Sequence, residues 1–305
     1  VFALEWKPFL ARNARIHVNG KSAKSTLFSV SDCQSIVKKA IVENLKAAYR
    51  TDTLPETGPE VIVEVGLLRD MATLALDCCG AGLSRRGYRT YNVAAPLSET
   101  LGAAVVTLAR YRAELPLIDP MCGSGTMPIE AAMIAQNRAP GLGRAFAAEA
   151  WPFVEPSVWR LAREEAHDSI RPVKLSILGS DADPRCIELC KRHARKAGVT
   201  VDWAVRPVET LADARTGGVL VCNPPYGERM LDRQEAERLY RRMRERFDLL
   251  NGWSVNIITA FQDFERVYGK RAVQRRKLSN GGMTCCLYRY AERTNECSGK
   301  EPQKE

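Results

Sequence analysis

The chain has 305 residues, of which 45% are hydrophobic and 27% are charged; this composition is ordinary for a soluble globular protein and excludes a disordered polar chain and a fibrous repeat. Lys and Arg (45) outnumber Asp and Glu (36), and the resulting net charge of +9 suits a protein that binds a polyanion, but also a basic enzyme with a small substrate. No stretch approaches the roughly 18 apolar residues that a membrane span requires.

The ten cysteines include no CxxC pair. A secreted disulfide scaffold would be shorter and denser in cysteine, and a structural zinc site would need closely paired cysteines. We therefore expect no bound metal, and we interpret most of these cysteines as small buried hydrophobes of a cytoplasmic protein. Because the chain starts at Val1 with no signal-peptide pattern, we expect a fragment of a longer protein.

The first 95 residues predict a small α/β unit. Strands are expected at 14–18, 61–65 and 71–76. Asn19-Gly20 predicts a turn after the first strand. Ser31 and Asp32 can cap a helix that runs to about Tyr49, because apolar residues recur there at helical spacing. A basic, glycine-bearing segment at 83–89 closes this unit.

From about residue 96 the pattern alternates between strands and helices, which predicts a parallel sheet with helices on both faces. Strands are expected at 115–119, 174–179, 201–205, 219–222, 254–260 and 284–290, and helices at 126–136, 184–196 and 234–250. Residues 137–172 interrupt the rhythm and predict an insertion beside the sheet. The predicted organisation is one domain at 1–95, a second at 96–290 and a disordered tail at 291–305.

Two motifs end consecutive strands. Asp119-Pro120-Met121-Cys122-Gly123-Ser124-Gly125-Thr126 lies between a strand and a helix, where glycines let the backbone pass close to a ligand. It is neither a phosphate loop nor GxGxxG, so a cofactor loop and a plain tight turn both fit it. In Gly179-Ser180-Asp181-Ala182-Asp183 an acidic side chain can bind ribose hydroxyls. Because Asp183 can instead cap the helix at Pro184, Asp181 is the better candidate.

The third motif, Asn223-Pro224-Pro225-Tyr226-Gly227, also follows a strand. The two prolines stiffen the backbone, remove two N–H donors and leave carbonyl acceptors. Asn223 adds a side-chain acceptor, so that Asn223 and the Pro224 carbonyl can hold both hydrogens of an exocyclic amino group. Tyr226 can stack on the base that carries this group. The motif therefore favours chemistry on an amino nitrogen.

With these motifs the sequence resembles the class I, S-adenosylmethionine-dependent methyltransferases, and more narrowly the bacterial THUMP-containing enzymes that methylate guanine N2 in 23S ribosomal RNA. The resemblance covers nearly the whole chain. The matching segments are 119–132, 223–229, Arg85-Arg86-Gly87-Tyr88-Arg89, Ala95-Pro96-Leu97-Ser98-Glu99-Thr100-Leu101, and Lys24-Ser25-Thr26-Leu27-Phe28, which resembles the THUMP signature. The family's preceding ferredoxin-like segment is absent, which implies a THUMP domain truncated at its start.

The resemblance implies a Rossmann-like domain with a mainly parallel seven-stranded sheet, preceded by a small α/β THUMP domain. It implies that S-adenosylmethionine is the cofactor, held by Asp119, Pro120, Cys122, Gly123, Ser124, Gly125, Thr126, Asp181, Ala182 and Thr100, and that the catalytic residues are Asn223, Pro224, Pro225 and Tyr226. One departure stands out, because Pro207 occupies the place of an Asp that bonds the adenine amino group. Backbone groups can replace that Asp, or the match slips by two residues and Glu209 serves.

RNA is the expected partner, ribosomal RNA first and transfer RNA second, with no membrane partner. Phosphate contacts are expected from Lys24, Arg85, Arg86, Arg89 and Lys277, with Lys21, Lys270, Arg271, Arg275 and Arg276 as further candidates. The basic helix at 238–246 is interpreted as a solvated face, and His193 as a surface residue.

Two other functions stay open, and a third is disfavoured. A DNA or protein amino-methyltransferase would use the same acceptor set for adenine N6 or a glutamine amide. A non-catalytic RNA-binding protein on this fold is favoured only by Pro207. A nicotinamide-dependent oxidoreductase would need the GxGxxG spacing that this chain lacks.

Overall fold

The computed structural model describes residues 1–89, 97–213, 215–226 and 233–291. The expected tail beyond residue 291 lies outside these ranges, as do Ala95, Pro96 and residues 227–229 of the matched motifs. The chain separates into two compact units, one formed by Val1–Leu83 with Arg144–Glu165 and the other by Ser84–Gly143 with Ala166–Glu305.

The first unit is built on a three-stranded sheet in the order β1-β2-β3, with strands β1 (Arg15–Ala23), β2 (Glu60–Leu68) and β3 (Met71–Leu76). The first pair is parallel and the second antiparallel. Helix α1 (Val30–Tyr49) buries Val37, Ile41 and Leu45 in the apolar core of this unit. That stripe at i, i+4 and i+8 is the helical spacing that the sequence contained.

The turn predicted at Asn19-Gly20 is wrong, because β1 continues through both residues. The Asn19 amide donates to Glu64 Oε1 (2.8 Å) on the paired strand. Gly20 lies under α1, where an added Cβ would come within 3.0 Å of Gln34 and 3.1 Å of Val30. The glycine therefore permits close helix packing inside a strand. The helix cap also differs from the prediction, since Ser29 rather than Ser31 or Asp32 precedes the first turn.

The insertion predicted beside the larger sheet instead packs in the first unit. Trp151 is buried there, and its indole donates to the Glu60 carbonyl (3.3 Å). Arg144 donates to the carbonyls of Cys79 and Gly82, both at 2.9 Å. Helix α4 (Pro156–Asp168) follows. Within the described residues, these long-range contacts make residues 144–165 part of the core that α1 covers.

The second unit contains a sheet whose seven described strands lie in the order β6-β5-β4-β7-β8-β10-β9. The strands are β4 (Leu117–Asp119), β5 (Ile177–Asp181), β6 (Asp202–Val205), β7 (Gly218–Cys222), β8 (Trp253–Thr259), β9 (Gln274–Asn280) and β10 (Met283–Tyr290). All described pairs are parallel except those of β10. The mainly parallel sheet that was predicted is confirmed.

The helices of this unit are α2 (Glu99–Leu108), α3 (Thr126–Ala135), α5 (Pro184–Ala197), α6 (Arg233–Phe247) and α7 (Phe264–Tyr268). Two large apolar clusters are formed, one that includes α2 and α3 and another that includes α6 and α7. Helices α2, α4 and α7 and strand β9 were not predicted. Strand β9 is largely exposed and basic, so only its pairing with β10 identifies it. No helix among the described residues is long and apolar enough to cross a membrane.

Candidate active site

Three neighbouring strands of the large sheet carry the three motifs at their carboxyl ends. Strand β4 lies between β5 and β7, with Asp119 opposite Gly179 and Ile118 opposite Leu220. The strand order reverses between β4 and β7, because β5 and β6 extend to one side and β8 to the other. Open sheets bind ligands at such a reversal, outside the carboxyl ends of the strands. The topology thus brings together motifs that are about 60 and 40 residues apart in sequence.

Asp119 is fully buried at the end of β4. Its Oδ1 accepts a hydrogen bond from the Met121 amide (3.2 Å), whereas its Oδ2 has no partner among the described residues. Burial raises the pKa of this carboxyl well above its usual range, and the neighbouring Asp181 charge adds to the shift. A buried acceptor without a partner is costly, so this position favours a ligand that brings a donor or a positive charge.

The glycine-rich loop, residues 120–125, turns the chain from β4 into α3. Gly123 and Gly125 have φ values of 53° and 81°, in the left-handed region that favours glycine. An added Cβ on Gly125 would lie 2.9 Å from the Trp203 ring and 3.0 Å from Cys190 Sγ, whereas Gly123 faces open space. Cys122 is buried against Cys190, with 3.7 Å between the sulfurs. The two glycines therefore serve different needs: Gly125 permits close packing, and Gly123 leaves room for a ligand.

The carboxylates of Asp181 and Asp183 accept different hydrogen bonds and have different roles. Asp181 Oδ2 accepts from the Gly123 amide (3.0 Å) and Oδ1 from the Asp183 amide (3.0 Å), so its carboxylate joins β5 to the glycine-rich loop. Asp183 caps α5, because its Oδ1 accepts from the Arg185 amide (2.8 Å). The capping role that the sequence offered for Asp183 is confirmed, and Asp181 is left facing the cavity described next.

A cavity of about 460 Å³ opens beside these strand ends. It is lined by Pro120, Met121, Asp181, Ala182, Pro207, Val208, Glu209, Pro225, Glu235, Arg238, Leu239 and Arg242. Its volume suits a nucleoside-sized ligand. Both Pro207 and Glu209 line it, and Glu209 Oε1 lies 2.8 Å from Arg242 Nε in an ion pair. The cavity thus contains a side-chain carboxylate near the position where proline offers none.

The Asn-Pro-Pro-Tyr motif, residues 223–226, leaves the sheet directly after β7. The Asn223 side chain is half-buried and makes no hydrogen bond within the described part of the chain. Pro224 is buried, and Tyr226 packs against the cluster that includes α6. The buried Tyr240 hydroxyl donates to the Pro225 carbonyl (2.8 Å), which ties the motif to α6. The burial of Pro224 and the hydrogen bond to the Pro225 carbonyl therefore hold the motif in place, while the Asn223 oxygen is available to a ligand.

Residues 86–89 take a different position from the one expected of phosphate contacts. Only 12% of the Arg86 side chain and 11% of the Arg89 side chain are exposed. Arg86 Nε lies 3.5 Å from Glu130 Oε1, and Arg89 Nε lies 3.8 Å from Glu99 Oε1. Both guanidinium groups are directed into the second unit and paired with buried carboxylates, so they are poorly placed to reach an RNA phosphate.

The surface position expected for His193 is wrong. The residue is fully buried, and its Nδ1 lies 3.0 Å from the Ser124 carbonyl of the glycine-rich loop. Burial lowers the pKa of its imidazole, so the ring stays neutral and donates to that carbonyl. The signal was present in the sequence, because His193 follows Cys190 by one helical turn on the apolar face of α5.

The remaining predicted RNA contacts and Thr100 lie at the surface. Lys24, Arg85, Thr100 and Lys277 are all exposed, and Thr100 stands in the first turn of α2, outside the cavity lining. Lys270 pairs with Asp248 (3.1 Å) and Arg275 with Glu265 (2.8 Å). The arginines of the predicted helix at 238–246 are mostly exposed, while its apolar residues are buried. Among the described residues, no group of three or more His, Cys, Asp or Glu side chains could hold a metal ion.

Family models match both parts of the chain. Residues 1–77 match the THUMP domain, and residues 86–289 match a family described as an RMKL-like methyltransferase domain. Bacillus subtilis (strain 168) YpsC, which is named as a provisional RNA methyltransferase, is 42% identical over 94% of this chain and 76% of its own length. The ribosomal RNA large subunit methyltransferase K/L of Pseudomonas paraeruginosa (strain DSM 24068 / PA7) is 34% identical over 94% of this chain and 42% of its own length.

Solved structures give the same result. A Listeria monocytogenes (str. 4b F2365) protein described as a predicted N6-adenine-specific DNA methylase has a TM-score of 0.89 and 44% identity, over 96% of this chain and 77% of its own. The methyltransferase SMU.472, solved with S-adenosylhomocysteine, has a TM-score of 0.88 and 38% identity, over 97% and 79%. The class I methyltransferase fold with an amino-terminal THUMP domain is thereby confirmed, and the chain belongs to the RMKL-like methyltransferase family.

Proposed function

We propose that this protein is an S-adenosylmethionine-dependent RNA methyltransferase that acts on the exocyclic N2 of guanine in large-subunit ribosomal RNA. The single observation that carries the proposal is Asn223, whose side-chain oxygen is available at the end of β7, beside the strands that carry the glycine-rich loop and Asp181. Support for RNA comes from the THUMP domain and from the names of the YpsC and K/L relatives.

The residues around the cavity fit this cofactor. Asp181 offers acceptors for ribose hydroxyls, Ala182, Pro207 and Val208 offer apolar surface to a purine, and the cavity has nucleoside size. The unpartnered Oδ2 of Asp119 suits the cationic amino acid part of the cofactor. Of the other expected residues, Pro120, Cys122, Gly123, Ser124, Gly125 and Thr126 shape the glycine-rich loop and the start of α3, whereas the exposed Thr100 lies outside the cavity lining. When bound, S-adenosylmethionine supplies an activated methyl group on a sulfonium.

The protein's own work is alignment and exclusion of water. The Asn223 oxygen and the Pro224 carbonyl accept both N–H hydrogens of the substrate amino group, so that the nitrogen lone pair points away from them. Tyr226 stacks on the base, and Tyr240 keeps the motif rigid through the Pro225 carbonyl. No strong base is needed, because the amino nitrogen becomes acidic only as it is alkylated, and its proton then passes to solvent as the product leaves. His193 is buried and holds the Ser124 carbonyl of the loop, outside the cavity lining, which is consistent with a mechanism without a histidine base.

Guanine N2 within a helix is out of reach of such a site, so the base is unpaired or flipped out. The exposed side chains of Lys24, Arg85 and Lys277 are the phosphate contacts that we retain. Arg86 and Arg89 are left out of this set, because each is paired inside the protein.

A second candidate function is methylation of adenine N6 in DNA. The same acceptor set fits that amino group, and the Listeria monocytogenes relative is described as an N6-adenine-specific DNA methylase. The THUMP domain favours RNA over this alternative.

The experiment has two steps. S-adenosylmethionine and S-adenosylhomocysteine are titrated into the purified chain by calorimetry, and micromolar binding is expected. Tritiated cofactor is then offered with total RNA and with unmodified DNA, and the labelled nucleoside is identified by mass spectrometry. Label in N2-methylguanosine supports the proposal. Label in N6-methyladenine of DNA would replace it with the second candidate, and absence of cofactor binding would favour a non-catalytic RNA-binding protein.

A further inference from the structure

A cluster of ionisable side chains is buried beside the glycine-rich loop, inside the second unit. Its members are Arg86, Tyr88, Arg89, Glu99, Glu130 and His193. Only 7% of the Glu99 side chain and 2% of the Glu130 side chain are exposed. Nothing in the proposed chemistry uses these groups, although burying four charged side chains is costly.

The cluster forms hydrogen bonds with the glycine-rich loop and with α3 at separate residues. Arg89 Nη2 donates to Thr126 Oγ1 (2.7 Å), at the first residue of α3, and to the Leu97 carbonyl (2.8 Å). His193 holds the Ser124 carbonyl at 3.0 Å. Ser124 Oγ and Thr126 Oγ1 are themselves 3.3 Å apart. Where the loop joins α3, the Ser124 carbonyl and the Thr126 hydroxyl are therefore both fixed by hydrogen bonds.

Residues 86–89 are also anchored to the body of α3. The Tyr88 hydroxyl donates to Glu130 Oε1 (3.0 Å), and Arg86 Nε lies 3.5 Å from the same oxygen. Gly102 of α2 allows the close packing that completes this arrangement, because an added Cβ there would lie 2.8 Å from Thr126 Cγ2. Residues 86–89 therefore contact α3 at two places: at Thr126, its first residue, and at Glu130, one turn later.

We propose that residues 86–89 are a clamp that holds the glycine-rich loop in its cofactor-binding geometry, with Arg89 as the positioning residue. This inference rests on the proposed function. Apolar side chains could fill the same space at lower cost, but they would not orient the Thr126 hydroxyl or the Ser124 carbonyl. The clamp therefore acts on affinity for the cofactor and leaves affinity for RNA unchanged.

The test is titration of S-adenosylhomocysteine into the wild-type chain, Arg89→Met and Arg89→Lys. We expect Arg89→Met to weaken binding about tenfold, because a loop without the clamp must be ordered when the ligand binds, at a cost comparable to one hydrogen bond from a charged donor. Arg89→Lys keeps the charge and one donor, so it should recover part of the affinity. Val267→Ala, a cavity variant in α7 of the same unit, is the matched control for loss of stability and should bind as the wild type does. RNA binding is measured on the same proteins by filter retention.

The outcomes separate the clamp from the function on which it rests. Wild-type affinity in Arg89→Met, or a loss confined to RNA binding, overturns the clamp while the methyltransferase function stands. A wild-type chain with no affinity for S-adenosylhomocysteine overturns the proposed function and the clamp together. If Arg89→Met does not fold, the double variant Arg89→Met/Glu99→Gln removes both charges of the pair. Weakened binding in that variant supports the clamp, and unchanged binding refutes it.

Discussion

The stability of the second unit should depend on pH through Glu130. Burial raises the pKa of this carboxyl from an ordinary value of 4.5 to about 7, although Arg86 and the Tyr88 hydroxyl act in the opposite direction. An acid whose pKa is raised in the folded state binds its proton more tightly there than in the unfolded chain. Its protonated form therefore favours folding, and the unfolding free energy falls as pH rises from about 4.5 to about 7.

The size of this effect follows from the pKa values. A pKa raised by about 2.5 corresponds to a loss of about 3 kcal/mol in the unfolding free energy as pH rises. Most of this loss occurs between about pH 5 and about pH 8. Glu130→Gln has nearly the same shape and carries no charge at any pH. The unfolding free energy of the variant minus that of the wild type should therefore increase by about 2 to 3 kcal/mol across this range.

Urea unfolding, followed by circular dichroism at several pH values from about 5 to about 8, measures that difference. The exposed Glu165→Gln serves as the control for removing a carboxylate elsewhere. A constant offset between Glu130→Gln and the wild type would refute the reasoning, because it would mean that Glu130 titrates alike in the folded and unfolded chain.

Three further results are expected. Asn223→Ala should lower the methyl-transfer rate at least a hundredfold while S-adenosylhomocysteine affinity stays within a few fold, because only the amino acceptor is lost; full activity in a tritium assay would remove Asn223 from the mechanism. Asp181→Ala should weaken cofactor binding about tenfold through loss of the ribose bonds and of the contact with the Gly123 amide, and unchanged calorimetric affinity would contradict that role. Gly125→Ala should lower stability by about 1–3 kcal/mol, since φ is 81° and the new Cβ would meet the Trp203 ring; an unchanged urea midpoint would disprove it.

Local patterns in the sequence predicted most of the second unit correctly. The segments that formed α3, α5, β7 and β10 were identified because apolar runs, Pro184 and Asp183 are local signals of strands and helix starts. The first unit was less clear: Asn19-Gly20 is a frequent turn sequence, yet pairing with β2 keeps it extended. Strand β9, with its exposed basic residues, has no local apolar alternation and depends on β10.

The candidate site divides in the same way. The glycine-rich loop, Asp181 and the Asn-Pro-Pro-Tyr motif were recognisable because each follows a strand within a few residues. Charged side chains were harder to place, because an arginine that binds RNA and an arginine that is paired inside the protein look the same in a sequence. Arg86 and Arg89 are paired with buried carboxylates. The burial of Glu99 and Glu130, their partners, was not predicted, because a Glu in a helix is ordinarily solvated.

The sequence by itself determined most strands of the second unit, three of its helices, the motifs at the strand ends and the family to which they belong, since all of these are encoded in short stretches of chain. Only the tertiary structure decided that residues 144–165 join the core of the first unit, that His193 is buried behind the loop, and that residues 86–89 are directed inward. These outcomes depend on contacts between residues 42 to 91 positions apart, and such contacts arise from packing and burial rather than from any local pattern.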